Sequence, residues 1–484
     1  MKRPLIFIIL AVLLPICSLA QDETPEELFE DGDYFFARED YSEAAYLYRQ
    51  VLRYEPDNAN VKYKIGTAYL NIEGEESEAI PYLEEATQDV SVKYRKNYYK
   101  QKEAPYHSWY YLGNAYRVNN QLSEALDAYE TFMSLKDFEK KYNVQVTEAE
   151  IKAVGRAKII QDAPLNLYKF CYEQPLNSEA SEYNAIISAD EQVMVWMNSQ
   201  KFYEAIMMSV KQDGKWSHPM NITPQVGSDG EMIPSGLSAD GRILLLVKHD
   251  RLDSDIYISS YDGTIWSKAE PVEGMVNSNF TEDHASFSPD GNRIYFSSEQ
   301  RGSIGGLDLF YSEKTAEGYY GPAVNLGEKI NTELNETSVF VSPDGSKLIF
   351  SSEGHYNMGG YDLFYCDIRE DGSFSDPVNM KYPINTTNHN KYFVPVKDGL
   401  SGIYTMRDEE GVGDNDIWFL EVIPFEETIA KSLTRLSEQD FSIQLTNKEN
   451  GEVIKLVYDS IKDKITINSA DGTEYGVIYT REKQ

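Results

Sequence analysis

The chain has 484 residues, 41% of them hydrophobic and 13% aromatic, enough for two or three domains with packed cores. Its 79 acidic and 45 basic residues give a formal charge of −34. That balance argues against nucleic acid and bare anionic membrane as partners, because both are themselves polyanionic.

The first 20 residues are MKRPLIFIILAVLLPICSLA. Lys2 and Arg3 precede an apolar run from Leu5 to Cys17, and small residues close the segment at Ser18 and Ala20. This is the pattern of a secretory signal peptide, with cleavage expected after Ala20. The rival is a lipoprotein signal at Leu14-Pro15-Ile16-Cys17, against which Ile16 stands where a small residue belongs. No later stretch approaches 18 apolar residues, so no direct membrane span is expected in the remaining chain. Cys17 leaves with the signal. Cys171 and Cys366 are expected as two buried free thiols, with a disulfide as the alternative.

Residues 21–163 carry a helical pattern. Thr24, Pro25 and Glu27 form a helix start with a capping box. The segment LFEDGDYFFAREDYSEAAYLYRQVLRYEP then places small residues at Gly32 and Ala44, aromatics at Phe35 and Tyr48, and a stop at Pro56. VKYKIGTAYLN repeats the pattern with Gly66 and Tyr69, followed by Ala79 and Leu83. WYYLGNAYRVNNQLSEALDAYETF repeats it again with Trp109, Leu112, Gly113, Tyr116, Ala125 and Tyr129. Between the second and third copies lies VSVKYRKNYYKQKEAPY, the one notably basic run. It is expected as a solvated, extended helix, with a docking patch for an acidic partner as the alternative. Thr147 and Glu150 predict a last helix to about Gln161 that covers the end of the stack.

These copies resemble the tetratricopeptide repeat (TPR), a helix-turn-helix unit of about 34 residues. The resemblance implies a partner-binding groove on the face made by the first helix of each repeat. Mapped here, that groove comprises Tyr63, Thr67, Leu70, Tyr110, Asn114 and Arg117. The Lys/Asn/Arg set with which some relatives grip a peptide carboxylate is not recognisable. The same aromatic positions can instead belong to the core.

Residues 164–424 repeat a different unit. Turns at Asp190, Asp240, Asp290, Asp344 and Asp398 are each followed by an apolar strand: VMVWM, ILLLV, RIYFSS, KLIFSS and GIYTM. A second marker follows in SDIYIS, GLDLFYS, GYDLFYC and NDIWFL, with acids at Asp255, Asp308, Asp362 and Asp416 and Glu204 in the weaker first copy. An aromatic and a Pro/Asn stretch close each unit. About four short strands in each unit of roughly 50 residues predict β-propeller blades. Five blades are expected and six are the alternative, with LYKFCYEQPLN supplying the outer strand of the last. The motifs resemble the WD40-like repeats of TolB-type propellers.

Acids that recur in every blade are expected to be structural. Calcium sites at Asp250, Asp253 and Asp255, or at Asp414 and Asp416, lack a full metal loop. No histidine pair has zinc spacing, and no nucleophile elbow or phosphate loop occurs, so no catalytic residue, metal or cofactor is expected. Glu282, Asp283, His284, Glu336 and Lys391 lie just before first strands and are expected to line the propeller mouth.

Residues 425–484 form a small β-rich tail, beginning with a short helix after Glu426 and turning at Asn450-Gly451 and Asp471-Gly472. The whole is multidomain, α plus all-β. The order signal, TPR, propeller resembles a family of Bacteroidetes envelope proteins, some belonging to type IX secretion. Family members often end in an OmpA-like domain that the tail is too short to hold, which puts direct peptidoglycan binding in doubt. The resemblance implies a non-catalytic scaffold with envelope proteins as partners, in the periplasm or at the outer membrane. A glycan-binding or glycan-cleaving propeller with a TPR dock is the alternative.

Overall fold

The computed structural model describes residues 23–423 apart from 39, 73, 201, 202 and 250–252, and the backbone of 441–446, 453–459, 464–468 and 474–477. The expected signal peptide and the short helix after Glu426 lie outside the described residues. The chain forms two compact units, Met1–Val154 and Gly155–Gln484.

The first unit pairs helices in three repeats: α1 (Pro25–Phe36) with α2 (Tyr41–Tyr54), α3 (Ala59–Tyr69) with α4 (Ala79–Ala86), and α5 (Ser108–Val118) with α6 (Leu122–Met133). Thr24 and Glu27 close the capping box at the start of α1. Each pair meets through a glycine against a large side chain. A Cβ on Gly32, Gly66 or Gly113 would stand 2.6 Å from Tyr48, 2.5 Å from Leu83 or 2.5 Å from Tyr129. Ala44, Ala79 and Ala125 are fully buried at the matching sites of the second helices. The small residues thus set the helix separation and the large ones fill it.

The basic run is not a helix. Residues 90–106 form turns and a two-residue parallel pair, β1 (Val90–Ser91) with β2 (Ala104–Pro105). Its side chains satisfy neighbouring groups instead of following a helical period. The Asn60 amide N–H donates to Lys102 O at 2.8 Å. Tyr94 Oη donates to Asn60 Oδ1 at 2.8 Å, and Tyr99 Oη to Glu55 Oε1 at 2.5 Å. The last helix, α7 (Val144–Gln161), begins three residues before Thr147, which is buried within it. Asn143 Oδ1 accepts from the Gln145 N–H at its start, at 3.0 Å.

The second unit contains five blades. β3 (Leu167–Cys171) comes first but belongs to the last blade. Blade one holds β4 (Glu182–Ile187), β5 (Val193–Gln200), β6 (Tyr203–Gln212), β7 (Lys215–Trp216) and β8 (Met220–Asn221), followed by the short helix α8 (Thr223–Val226). Blade two holds β9 (Met232–Leu237), β10 (Ile243–His249), β11 (Ser254–Ser260) and β12 (Glu270–Pro271). Blade three holds β13 (Glu282–Phe287), β14 (Arg293–Ser298), β15 (Asp308–Glu313) and β16 (Val324–Asn325). Blade four holds β17 (Glu336–Val341), β18 (Lys347–Ser352), β19 (Asp362–Asp367) and β20 (Val378–Asn379). Blade five holds β21 (Val394–Val396), β22 (Ser401–Met406), β23 (Asp416–Val422) and β3. The ring therefore has five blades, not six, and LYKFC closes it as expected, paired antiparallel to β23.

First strands of neighbouring blades touch around the ring, β21 against β4 included. The cores lie between blades: Leu245 and Ile256 of blade two pack with Phe287, Phe296 and Phe310 of blade three. Neither remaining cysteine is in a disulfide; Cys366 is buried, whereas Cys171 is half-buried because it sits on the outermost strand. In the tail, β24 (Phe441–Thr446), β25 (Val453–Asp459), β26 (Lys464–Asn468) and β27 (Glu474–Val477) form an antiparallel meander.

A side-chain amide latches four of the five linkers to the blade just left. Asn277, Asn331 and Asn385 each accept from and donate to one third-strand residue, Ile256, Leu309 and Leu363, at 2.7–3.0 Å. Asn177 makes the same pair with Ile417 across the closure, at 2.8 and 3.1 Å. Replacing Asn177 by Ala leaves the buried Ile417 N–H unpaired, while its C=O keeps the Tyr172 N–H at 3.1 Å, so Asn177→Ala is expected to lower stability by about 1–3 kcal/mol in denaturant unfolding. A loss below about 0.5 kcal/mol would contradict the latch.

Candidate functional site

The recurring acids are committed to the blades. In the Ser-x-Asp turns the serine hydroxyl donates to the carboxylate at 2.6–2.7 Å, in Ser188–Asp190, Ser238–Asp240, Ser288–Asp290 and Ser342–Asp344. Asp308 accepts the N–H groups of Ile304 and Gly305 and the Asn325 amide, at 2.7–3.0 Å. Asp362 and Asp416 accept from Met358 and Val412 in the same way. Of the calcium candidates, Asp250 lies outside the described residues, and Asp414 faces Arg407 at 3.6 Å.

Glu282 and Glu336 do not line a mouth. Both are fully buried, as is Glu182 within 1%. The Glu282 carboxylate accepts the backbone N–H and hydroxyl of Ser278 and the hydroxyl of Ser298, at 2.7–3.0 Å. Glu336 accepts the same three groups from Thr332 and Ser352 at 2.6–2.8 Å. These carboxylates tie the linker into a blade to the end of its second strand. Asn390 takes that place in blade five, accepting from the Thr386 N–H at 2.8 Å. Burial pushes the Glu282 carboxyl up, and Glu336 up to about 7.

His284 is fully buried, edge-on to Phe340 at 4.7 Å and beside Tyr392 at 5.5 Å, and burial lowers its pKa to about 4. Asp283 accepts the Thr337 hydroxyl at 2.6 Å, and Lys391 Nζ lies 4.4 Å from the centre of the Tyr361 ring. Of the five expected mouth residues, only Asp283 and Lys391 are even partly exposed. The equivalent stations of the other blades, Tyr183–Asn184, Ile233–Pro234 and Thr337–Ser338, add no carboxyl. Glycoside hydrolysis ordinarily needs two. At the turn end, a cavity of about 50 Å³ between Ile187, Leu237, Phe287, Val341 and Pro395 has room only for water.

Open recesses of about 720 and 550 Å³ lie on the propeller, and a cleft of about 820 Å³ lies in the helical unit. Its rings form a ladder: Tyr94–Tyr63 at 6.3 Å, Tyr63–Tyr111 at 5.7 Å, Tyr111–His107 at 5.0 Å and His107–Tyr142 at 5.6 Å. Burial among them lowers the His107 pKa to about 4, so the imidazole is neutral at pH 7. Polar groups flank the ladder. Lys64 Nζ reaches Asp33 Oδ1 at 2.5 Å, and Tyr48 Oη donates to the same oxygen at 2.6 Å. Thr67, Asn71, Lys96 and Asn97 complete this side.

Of the expected groove residues, Tyr63 and Thr67 line the cleft, and Leu70, Tyr110, Asn114 and Arg117 do not. Leu70 packs on the helical core. Asn114 Oδ1 accepts from Tyr129 Oη at 2.6 Å, bracing one helix pair. Arg117 is 2% exposed and pairs with Glu150 of α7 at 3.0 Å. Tyr110 stacks on His107 at 5.1 Å and packs on Tyr129 at 5.8 Å. The covering helix thus engages the third repeat. What took its place, Val92, Tyr94, Lys96 and Asn97, comes from the insertion. Its signal in the sequence is a break in period: 34 positions separate Gly32 from Gly66, but 47 separate Gly66 from Gly113.

A family profile described as TPR repeat matches residues 32–72. No curated protein matches the chain significantly. Among solved structures, the chain is similar to TolB from Acinetobacter baumannii at 12% identity, covering 62% of this chain and 57% of that one with a TM-score of 0.33. It is similar to the catalytic domain of Coprinopsis cinerea GH62 alpha-L-arabinofuranosidase at 9% identity, covering 53% and 96%, with a TM-score of 0.35. It is also similar to the Sgt2 TPR domain from Aspergillus fumigatus at 22% identity, covering 32% and 87%, with a TM-score of 0.23. The chain spans little more than half the length of that TolB structure. The five-bladed ring rests on its own strand order.

The raised Glu336 pKa makes a testable link to stability. Between pH 4.5 and about 7 the folded chain keeps a proton that the unfolded chain has released, so this group's contribution falls as pH rises through that window. The full effect is on the order of 3 kcal/mol. In paired unfolding measurements, Glu336→Gln should gain on the native chain as pH rises from 4.5 to about 7 and hold level above it. A difference that does not vary with pH would contradict the buried, proton-holding carboxyl.

Proposed function

We propose that this protein is a non-catalytic scaffold of the cell envelope that docks partner proteins in its TPR cleft. One observation carries the reading. The cleft is preformed and lined by a chain of contacting aromatic rings and by polar groups, whereas the buried acids of the propeller are engaged in blade hydrogen bonds. Rigid aromatic walls bind at low entropic cost, since few rotamers are lost on contact. The TPR match over residues 32–72 supports a role in protein–protein interaction.

The signal-peptide pattern of residues 1–20 supports work beyond the inner membrane, in the periplasm or at the outer membrane. Among the described residues, no helix is long and apolar enough to cross a membrane. The resemblance to Bacteroidetes envelope proteins supports assembly of a secretion-type complex, with type IX secretion the leading candidate. Two repeat units on one chain let a second contact profit from the effective concentration set by the first.

The test is crosslinking and mass spectrometry with tagged protein in the envelope of the producing cell. Asn71→Trp with Val92→Trp fills the cleft at two exposed positions without touching the core. A defined partner set should be captured by the native protein and reduced at least about tenfold by the double variant, a loss of roughly 1.4 kcal/mol in binding. Equal capture by both proteins would contradict docking in the cleft.

A further inference from the structure

The insertion sets a run of cations at the edge of the cleft, with Lys96 in its wall. Residues 93–102 hold five cations, Lys93, Arg95, Lys96, Lys100 and Lys102, and no acid, in a chain of net charge −34. Lys102 is neutralised by Glu55 at 2.6 Å and lies over the Tyr99 ring. Lys93, Arg95, Lys96 and Lys100 are exposed and make no ion pair among the described residues. Of these four, Lys96 lines the cleft, and Arg95 lies over the Tyr98 ring at 4.3 Å. On the floor, Lys64 is 7% exposed and already held by Asp33.

The wall is built in advance. Asn60 Nδ2 donates to Gln101 O at 3.0 Å, and its Oδ1 accepts from Tyr94 Oη. Glu55 accepts from both Tyr99 and Lys102, and the Tyr99 ring meets Phe29 edge-on at 5.7 Å. A loop anchored this densely presents its charges without paying an ordering cost on binding. Uncompensated cations beside an aromatic ladder make a site for carboxylates interspersed with apolar side chains. Nucleic acid is disfavoured by the net charge of the whole chain.

We propose that the insertion selects an acidic peptide segment, with its carboxylates against Lys93, Arg95 and Lys96 and its apolar side chains on the Tyr63–Tyr111–His107 ladder. This rests on the cleft being the docking site. It adds that the insertion, rather than the repeat framework, sets partner choice.

The experiment is fluorescence anisotropy on the signal-free chain with short labelled peptides of three compositions: Asp/Glu-rich with Phe and Tyr, uncharged with Phe and Tyr, and Lys/Arg-rich. The acidic set should bind at least about tenfold more tightly at low salt, and the advantage should shrink toward about 0.3 M salt as the charges are screened. Lys93→Glu, Arg95→Glu and Lys96→Glu together should abolish the preference while the circular dichroism spectrum stays unchanged. Equal binding of acidic and uncharged sets, both lost in the Asn71→Trp, Val92→Trp variant, would overturn the acidic assignment and leave the docking cleft standing. Competition by a single-stranded oligonucleotide as effective as the acidic peptide would also overturn it. No binding by any peptide would overturn both readings.

Discussion

The propeller depends on a side-chain amide used four times. Asn177, Asn277, Asn331 and Asn385 each offer one acceptor and one donor to the N–H and C=O of a single third-strand residue. An amide is the short side chain that can do both at once. Blade one uses another device, with Thr223 Oγ1 accepting from the Ile206 N–H at 2.8 Å. Because each latch sits in the linker to the next blade, it fixes where that blade begins. The Asn177 latch differs only in joining residues 240 positions apart, and with β3 it converts an open row of sheets into a ring. Without closure, β23 would be left with an unpaired edge.

This economy bears on function. A ring made of like units commits its repeated polar residues to the repeat. In blades three and four the repeated serine, aspartate, asparagine and glutamate find their partners within the blade or an adjoining linker. What remains for recognition is whatever departs from the repeat. The largest departure in the helical unit is the insertion at 90–106, and that segment forms one wall of the cleft.

Much of this was legible in the sequence. The spacing of Gly32, Gly66 and Gly113 announced three helix pairs, because only a residue without a Cβ fits against Tyr48, Leu83 and Tyr129. The Ser-x-Asp-Gly turns announced the blades, because their hydrogen bonds are local. The site was less legible. Glu282 and Glu336 stand before first strands, where a mouth residue is expected, but serine and threonine four residues upstream draw them inward. Tyr110, Asn114 and Arg117 lie on the groove face of an isolated repeat and are engaged by Tyr129, the ring cluster and α7. Both errors concern tertiary contacts that periodicity does not encode. The charge of the insertion predicts a solvated helix, whereas its Tyr94 and Tyr99 anchors to Asn60 and Glu55 hold it as an irregular loop.

The central claim is that recognition belongs to the cleft and closure to the propeller. Hydrogen exchange on the full chain, with and without a protein captured by the crosslinking, tests it most directly. The account predicts slowed exchange in residues 91–97 and 107–111, with no change at 282–284, 336–338 and 390–392. Protection confined to those propeller segments, with the cleft unaffected, would contradict it.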